Sequence, residues 1–512
     1  MLFLIRYRVP IIFALVKFIL PYKLQDPLYE LHRDEYLYLA QANHMDWGFL
    51  EVPPALPLLA KVTALLGNDF FWVKFWPSLF GALTILIVCE MVMEMGGRIF
   101  AQCLASLALI AGAYLRTHFL FQPVFLDIFW WSLLALLILK YINTGRSFYI
   151  LLMGAAIGLA WLSKYSIVFF VIGMLAGLLV TAERKILLKR TIYWAALVAL
   201  LIALPNLLWQ YNHRWPLLHH MNELRETQLQ YVAPAAFLMD QVLMNLPVFF
   251  LWIGGLVWLM VSQDAKEYRV LAWIYVSVLV LLMITSGKSY YTLGAYPMLF
   301  AAGAVWLENI TKESLRWLRF AAMIITLLLF VPLIPLLLPV WIPDYLVEYY
   351  KKTGLEKTGV LKWEDQQNHP LPQDFADMLG WKELVEKVSL AYAKLPDSVK
   401  TKTLVYCSNY GQAGAVSYYG RLFPEVTSDN ASFVLWKPDK YEVRNILLVT
   451  EDEPAKTDTL FLQFRRSRLI DSIRNPLARE YGTKIFLFEK GNDKVNAILE
   501  ERTRNQKALF NR

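Results

Sequence analysis

The sequence predicts an α-helical polytopic membrane protein of about eleven spans, followed by a C-terminal α/β domain, and three observations predict it. Of 512 residues, 57% are hydrophobic and only 18% charged, and the mean hydropathy is positive, which soluble domains rarely show. Apolar runs near the roughly 20 residues that cross a bilayer recur through the first two thirds of the chain. Hydropathy then falls after PLIPLLLPVWIP. The division expected is a membrane domain over 1–340 and a soluble domain over 341–512.

Taken in order, the N-terminal stretch MLFLIRYRVPIIFALVKFILPYK places basic residues before an apolar core. No small-residue cleavage site follows, so it reads as a retained first span centred on 9–20. Further spans are expected near 73–95, 99–115, 124–142, 148–162, 167–181, 192–209, 246–261, 270–285, 293–307 and 317–339. Lys and Arg gather in every second connection: Arg6 and Arg8, Arg98, Lys140 with Arg146, the group Arg184 to Arg190, Lys266 with Arg269, and Lys312 to Arg319. Basic short loops mark the cytoplasmic side, which puts the N-terminus inside. The connections at 22–72, 116–123, 163–166, 210–245 and 287–291, and the tail, then face outside.

In the tail, Phe375, Met378, Leu384, Val385 and Val388 fall at helical spacing within an amphipathic helix over 374–395. Runs at 403–406, 446–450 and 484–488 are rich in β-branched and aromatic residues and read as strands. The charged end, 500–512, reads as a solvated helix. The formal charge of +8 would point to nucleic acid in a soluble protein, but here the basic residues serve orientation, so no nucleic acid is expected. Three cysteines, Cys89, Cys103 and Cys407, form neither a zinc pattern nor a disulfide framework.

Chemistry is expected in the outward loop LHRDEYLYLAQANHMDWGFLEVPP, from Leu31 to Pro54. Asp34, Glu35 and Glu51 read plainly as solvated loop carboxylates. Their position at one face of a membrane points instead to general-base chemistry, since a low-dielectric boundary tunes a carboxylate toward neutrality. Asp127, in QPVFLDIFWW, opens an apolar helix, where a carboxylate is costly unless it faces protein or water. In the 210–245 connection, His219 and His220 offer metal or phosphate ligands, and Arg225 offers a two-pronged phosphate contact. Lys288, Tyr290 and Tyr291 put a cation between aromatic rings at headgroup depth, suited to a lipid-linked phosphate or to plain interface anchoring. Ser163-Lys164-Tyr165 is a similar but weaker signal, explained by a polar kink between short spans.

These motifs, in this order and on one face, resemble the GT-C membrane glycosyltransferases of family 39, which include protein O-mannosyltransferases and the bacterial aminoarabinose transferase of lipid A. The resemblance rests on Asp34-Glu35, the Glu-x-Pro-Pro run of Glu51, Pro53 and Pro54, Asp127, and KSYYTLGAYP from Lys288 to Pro297. QDFADMLGW and NYGQAGAVSYYG in the tail resemble a bacterial branch. It implies transfer of a sugar from a polyprenyl-phosphate donor to a protein, lipid or glycan acceptor on the outer face of the bacterial inner membrane. Asp34, with Glu35 and Asp127, would be catalytic. Glu51, Lys288, Tyr290, Tyr291, Arg225 and His220 would bind substrate, and a divalent metal would sit on Glu51 and His219. One departure stands out: aminoarabinose enzymes carry Glu-Lys-Pro-Pro, where this chain has Val52. The competing class is a transporter or lipid flippase, which would place ionisable residues mid-span in paired broken helices.

Overall fold

The computed structural model describes residues 2–227, 233–420, 423, 426–455 and 457–510. It divides into two compact units, one of Met1–Leu24, Phe71–Leu207 and Met221–Leu338, the other of Gln25–Phe70, Leu208–His220 and Pro339–Arg512. The unit holding the tail thus also gathers the first outward loop.

In the first unit each expected apolar segment is helical, from Leu2–Leu24 through Phe70–Glu94, Val124–Thr144 and Thr191–Asn212 to Trp317–Phe330. Among the described residues, five helices are long and apolar enough to cross a membrane. Counting each of two bent pairs, Ile167–Val180 with Ala182–Leu188 and Pro234–Met244 with Leu246–Val261, as one span gives seven, fewer than the eleven expected, because apolar helices such as Ile99–Ile110 and Phe148–Trp161 are shorter. Helix ends follow local chemistry: Gly145, at φ 66, closes Val124–Thr144 in the left-handed conformation that glycine adopts at no steric cost. Close helix packing uses small residues. A Cβ on Gly303, in Tyr296–Ile310, would collide with the Leu251 carbonyl of Phe249–Val261.

The 210–245 connection, read as a loop, contains the helices Pro216–Thr227 and Pro234–Met244; residues 228–232 within it lie outside the described residues. Likewise the first outward loop holds the helices Arg33–Gln41 and Ala55–Leu65.

The second unit is built on a five-stranded sheet of β1 (Thr403–Cys407), β2 (Val426–Ser428), β3 (Asn445–Thr450), β4 (Phe464–Ser472) and β5 (Lys484–Gly491) in the order β2-β1-β3-β5-β4. β1 is parallel to β2 and β3, whereas β5 runs antiparallel to β3 and β4. The three strands expected from sequence are β1, β3 and β5. β1 and β3 are buried throughout, as near-continuous apolar runs in a covered sheet should be. β4 lies at the edge with residues 465–469 exposed, Arg465, Arg466 and Arg468 among them. The helix expected over 374–395 is interrupted: Gly380, at φ 85, separates Gln373–Ala376 from Trp381–Ala393. The charged end belongs to the helix Lys494–Ala508, which buries Val495, Leu499 and Thr503 on one side and leaves Glu501, Arg504, Asn505 and Ala508 exposed, in keeping with a solvated helix; Asn511 and Arg512 lie outside the described residues.

Candidate active site

In the second unit, the outward loop becomes a short helix because its sequence caps itself. His32 is the N-cap: its Nδ1 accepts from the Asp34 amide at 3.2 Å, while the Glu35 carboxylate accepts from the His32 amide at 2.7 Å. This reciprocal pair satisfies two amides the first turn leaves open, and the acidic residues also match the positive end of the helix dipole. Glu35 is fully buried in this capping role, whereas Asp34 is half-buried.

Both tail stretches singled out in the sequence pack on this helix. The Tyr410 hydroxyl donates to Asp34 Oδ1 at 2.7 Å, and the Arg33 guanidinium lies 4.5 Å over the Tyr410 ring. His32 Nε2 stands 3.6 Å from Asp374 and 3.7 Å from Asp377, and Arg479 lies 3.5 Å from Asp377. Main-chain bonds join the same segments, from the Arg33 amide to the Asp377 carbonyl and from the Glu30 amide to the Met378 carbonyl. The helix Tyr410–Tyr419 comes close because it lacks side chains where it must. A Cβ on Gly414 would lie 2.8 Å from the Tyr36 backbone, and one on Gly411 would lie 2.6 Å from Arg33 Cγ.

Burial works against the charged form of His32, but the hydrogen bond to Asp374 and the charges of Asp34, Asp377 and Asp374 outweigh it and hold its pKa up at about 9; the cation carries a proton on both ring nitrogens, so the Nδ1 cap on the Asp34 amide belongs to the neutral form. Burial pushes the Asp377 carboxyl up to about 6, against the pull of His32, Arg479 and Arg33.

His32, Asp374 and Asp377 are also the group of described residues with metal-ligand spacing, their ligand atoms within 4.8 Å of one another. Arg33 and Arg479 set two positive charges beside these carboxylates and compete with a divalent ion for them. Of the residues expected to hold a metal, Glu51 accepts from the Ser432 hydroxyl at 2.6 Å and from the Gln41 side-chain amide at 2.9 Å. His219 packs against Phe510, with ring centroids 5.8 Å apart. Neither belongs to the His32 group. Val52 is buried.

The first unit holds a separate cluster. Asp127, 5% exposed in the first turn of Val124–Thr144, accepts from the Ser166 hydroxyl at 2.7 Å and faces the Lys164 ammonium at 3.6 Å. That ammonium also lies 4.4 Å over the Tyr291 ring and 5.6 Å over the Tyr290 ring. Tyr290 and Tyr291 therefore join Asp127 through a lysine that sequence reading ranked low. Lys288 is half-buried and near enough for its charge to act on Lys164. His220 is half-buried and Arg225 exposed on Pro216–Thr227. His32, Asp374, Asp377 and Tyr410 were missed as site residues, although His32 lies in the outward loop and the other three in stretches quoted for the family likeness.

A family model of dolichyl-phosphate-mannose-protein mannosyltransferases matches residues 51–209. The lipid A galacturonosyltransferase RgtD of Rhizobium johnstonii is 27% identical over 292 residues, which are 54% of this chain; the match spans only 60% of that relative's length. Among solved structures, ArnT from Cupriavidus metallidurans bound to undecaprenyl phosphate superposes with a TM-score of 0.62 at 14% identity, covering 94% of this chain and 97% of that one. Its apo state gives 0.59 at 13% identity over the same shares. The chain has the GT-C fold and carries helices long and apolar enough to cross a membrane.

Proposed function

We propose that this chain transfers a sugar from a polyprenyl-phosphate donor to an acceptor at the outer face of the inner membrane. The observation that carries the reading is Asp34: a half-buried carboxylate, held by its own helix cap and by Tyr410, in a chain of GT-C fold. Asp34 takes the proton from the acceptor hydroxyl as that oxygen bonds the anomeric carbon. The bond from that carbon to the phosphate oxygen breaks, and its electron pair leaves with the lipid phosphate. Positive charge near the leaving phosphate stabilises this step. Val52 stands where the aminoarabinose enzymes carry lysine; within the first unit, Lys164 and Lys288, beside Tyr290 and Tyr291, are assigned to binding a lipid phosphate. Asp127 holds Lys164 in place, and Glu35 holds the turn that presents Asp34. Glu51, His220 and Arg225 are assigned to substrate binding, and no step is assigned to a metal.

The likeness to a galacturonosyltransferase favours a hexose-type sugar over a pentose, and a lipid acceptor. Residues 1–340 are proposed as the catalytic membrane domain and 341–512 as an outer domain, oriented by the basic loops. The test is release of polyprenyl phosphate from a polyprenyl-phosphate sugar by purified protein in lipid. Asp34→Asn is expected to cut turnover by about 10²–10⁴-fold, the range of a lost general base, with folding preserved; full turnover by that variant would remove Asp34 from the mechanism. For orientation, Cys407 is buried and beyond a reagent's reach, so the exposed Asp452 is the site for a new thiol. Asp452→Cys should react with an impermeant reagent outside intact cells, and protection there would reverse the topology.

A further inference from the structure

We propose that Tyr410, from the C-terminal tail, is a positioning residue for Asp34, so that the tail completes the site. The proposal rests on the reading of Asp34 as the base. Its geometry is specific. The Tyr410 hydroxyl donates to one named oxygen, Asp34 Oδ1, at 2.7 Å across 376 positions of sequence. A carboxylate that accepts a proton in a transition state works best when its rotation is already fixed, because a misaligned base loses rate steeply. The Tyr410 hydroxyl fixes that rotation.

Tyr410 is itself held on three sides. Asn409 caps its helix by accepting from the Gln412 amide at 2.9 Å, the Arg33 guanidinium covers its ring, and Gly411 leaves space for the Arg33 side chain beside it. Burial first, then the Asp34 charge, keep the proton on the phenol, whose pKa lies well above its ordinary value. Tyr410 therefore stays a donor through the neutral range and does not compete as a base.

A purely structural bridge would look similar in a static structure, and the kinetics separate the two. The helices Arg33–Gln41 and Tyr410–Tyr419 also meet without this phenol, where Gly414 packs on the Tyr36 backbone and Tyr36 bonds Tyr419, so Tyr410→Phe should fold. In full-length protein reconstituted with a polyprenyl-phosphate hexose, Tyr410→Phe is expected to lower kcat about ten-fold, as loss of one positioning hydrogen bond should. The donor KM and the melting temperature should hold. Tyr419→Phe, which alters a neighbouring phenol bonded to Tyr36 at 3.1 Å, is expected to leave kcat unchanged. Wild-type kcat in Tyr410→Phe overturns the proposal, as does a fall in kcat, KM and melting temperature together. With wild-type protein turning over, full activity in Asp34→Asn would instead sink the reading of the base, and no turnover by wild-type protein would sink both.

Discussion

Asp127 and Asp34 are both carboxylates near the start of a helix, each engaged by a hydroxyl, yet they are neutralised in opposite ways. Asp127 has one close cation, Lys164, itself only 15% exposed at its side chain and stacked on tyrosine rings. Asp34 belongs to a crowd, with His32, Arg33 and Arg479 set against Asp374 and Asp377. A single pair in a low-dielectric setting is brittle, since removing either partner strands a buried charge. A shared network spreads such a loss over several partners. The brittle pair suits a residue that must stay where it is, and the network suits one whose charge must change during a reaction.

Substitutions test this contrast. The largest effect expected is the loss of turnover in Asp34→Asn, without loss of stability, because the surrounding ion pairs remain. Next, Lys164→Met should destabilise the membrane unit by about 3–5 kcal/mol, as breaking one side of a buried pair does, measured by thermal unfolding in detergent. Adding Asp127→Asn should restore most of that stability but not activity; if the double variant stays as unstable as the single one, Lys164 has other structural work and the pair is not isolated.

The smallest effect is on pH dependence. The folded pKa of His32, about 9, lies above its ordinary 6.5, so the stability it contributes is fully present below pH 6.5 and lost as pH rises through 9. Asp377, raised from 3.8 to about 6, has the same sign: its contribution is lost as pH climbs through 6. Melting temperature should therefore fall toward alkaline pH, and His32→Gln should flatten the upper part of that fall. An unchanged profile in this variant would mean that the network does not depend on the imidazolium.

Much of the architecture was legible because apolar runs dictate burial. β1, β3 and β5 show as β-branched and aromatic clusters, and every expected apolar segment is helical. β4 was not legible: its sequence, FRRSRLIDS, is largely exposed, so neither face carries the alternation that marks a half-buried strand. The break at Gly380 was hidden because Met378 and Val385, seven positions apart, keep helical spacing across it while both are buried. In the site, Asp34 and Asp127 stood out as carboxylates in apolar company. Their partners stood out less, Lys164 as a weak signal and Tyr410 only within a quoted stretch, because tertiary packing over 37 and 376 positions is what brings them to the carboxylates.

The exposed edge strand β4 has a consequence for how the protein survives outside its membrane. An unpaired strand edge offers a row of amides and carbonyls to any second chain, which is the usual seed of aggregation. Arg465, Arg466 and Arg468 place like charges along that row, so two copies approaching edge to edge repel before they can pair. The guanidiniums that obscured the strand in the sequence are thus what keep it soluble.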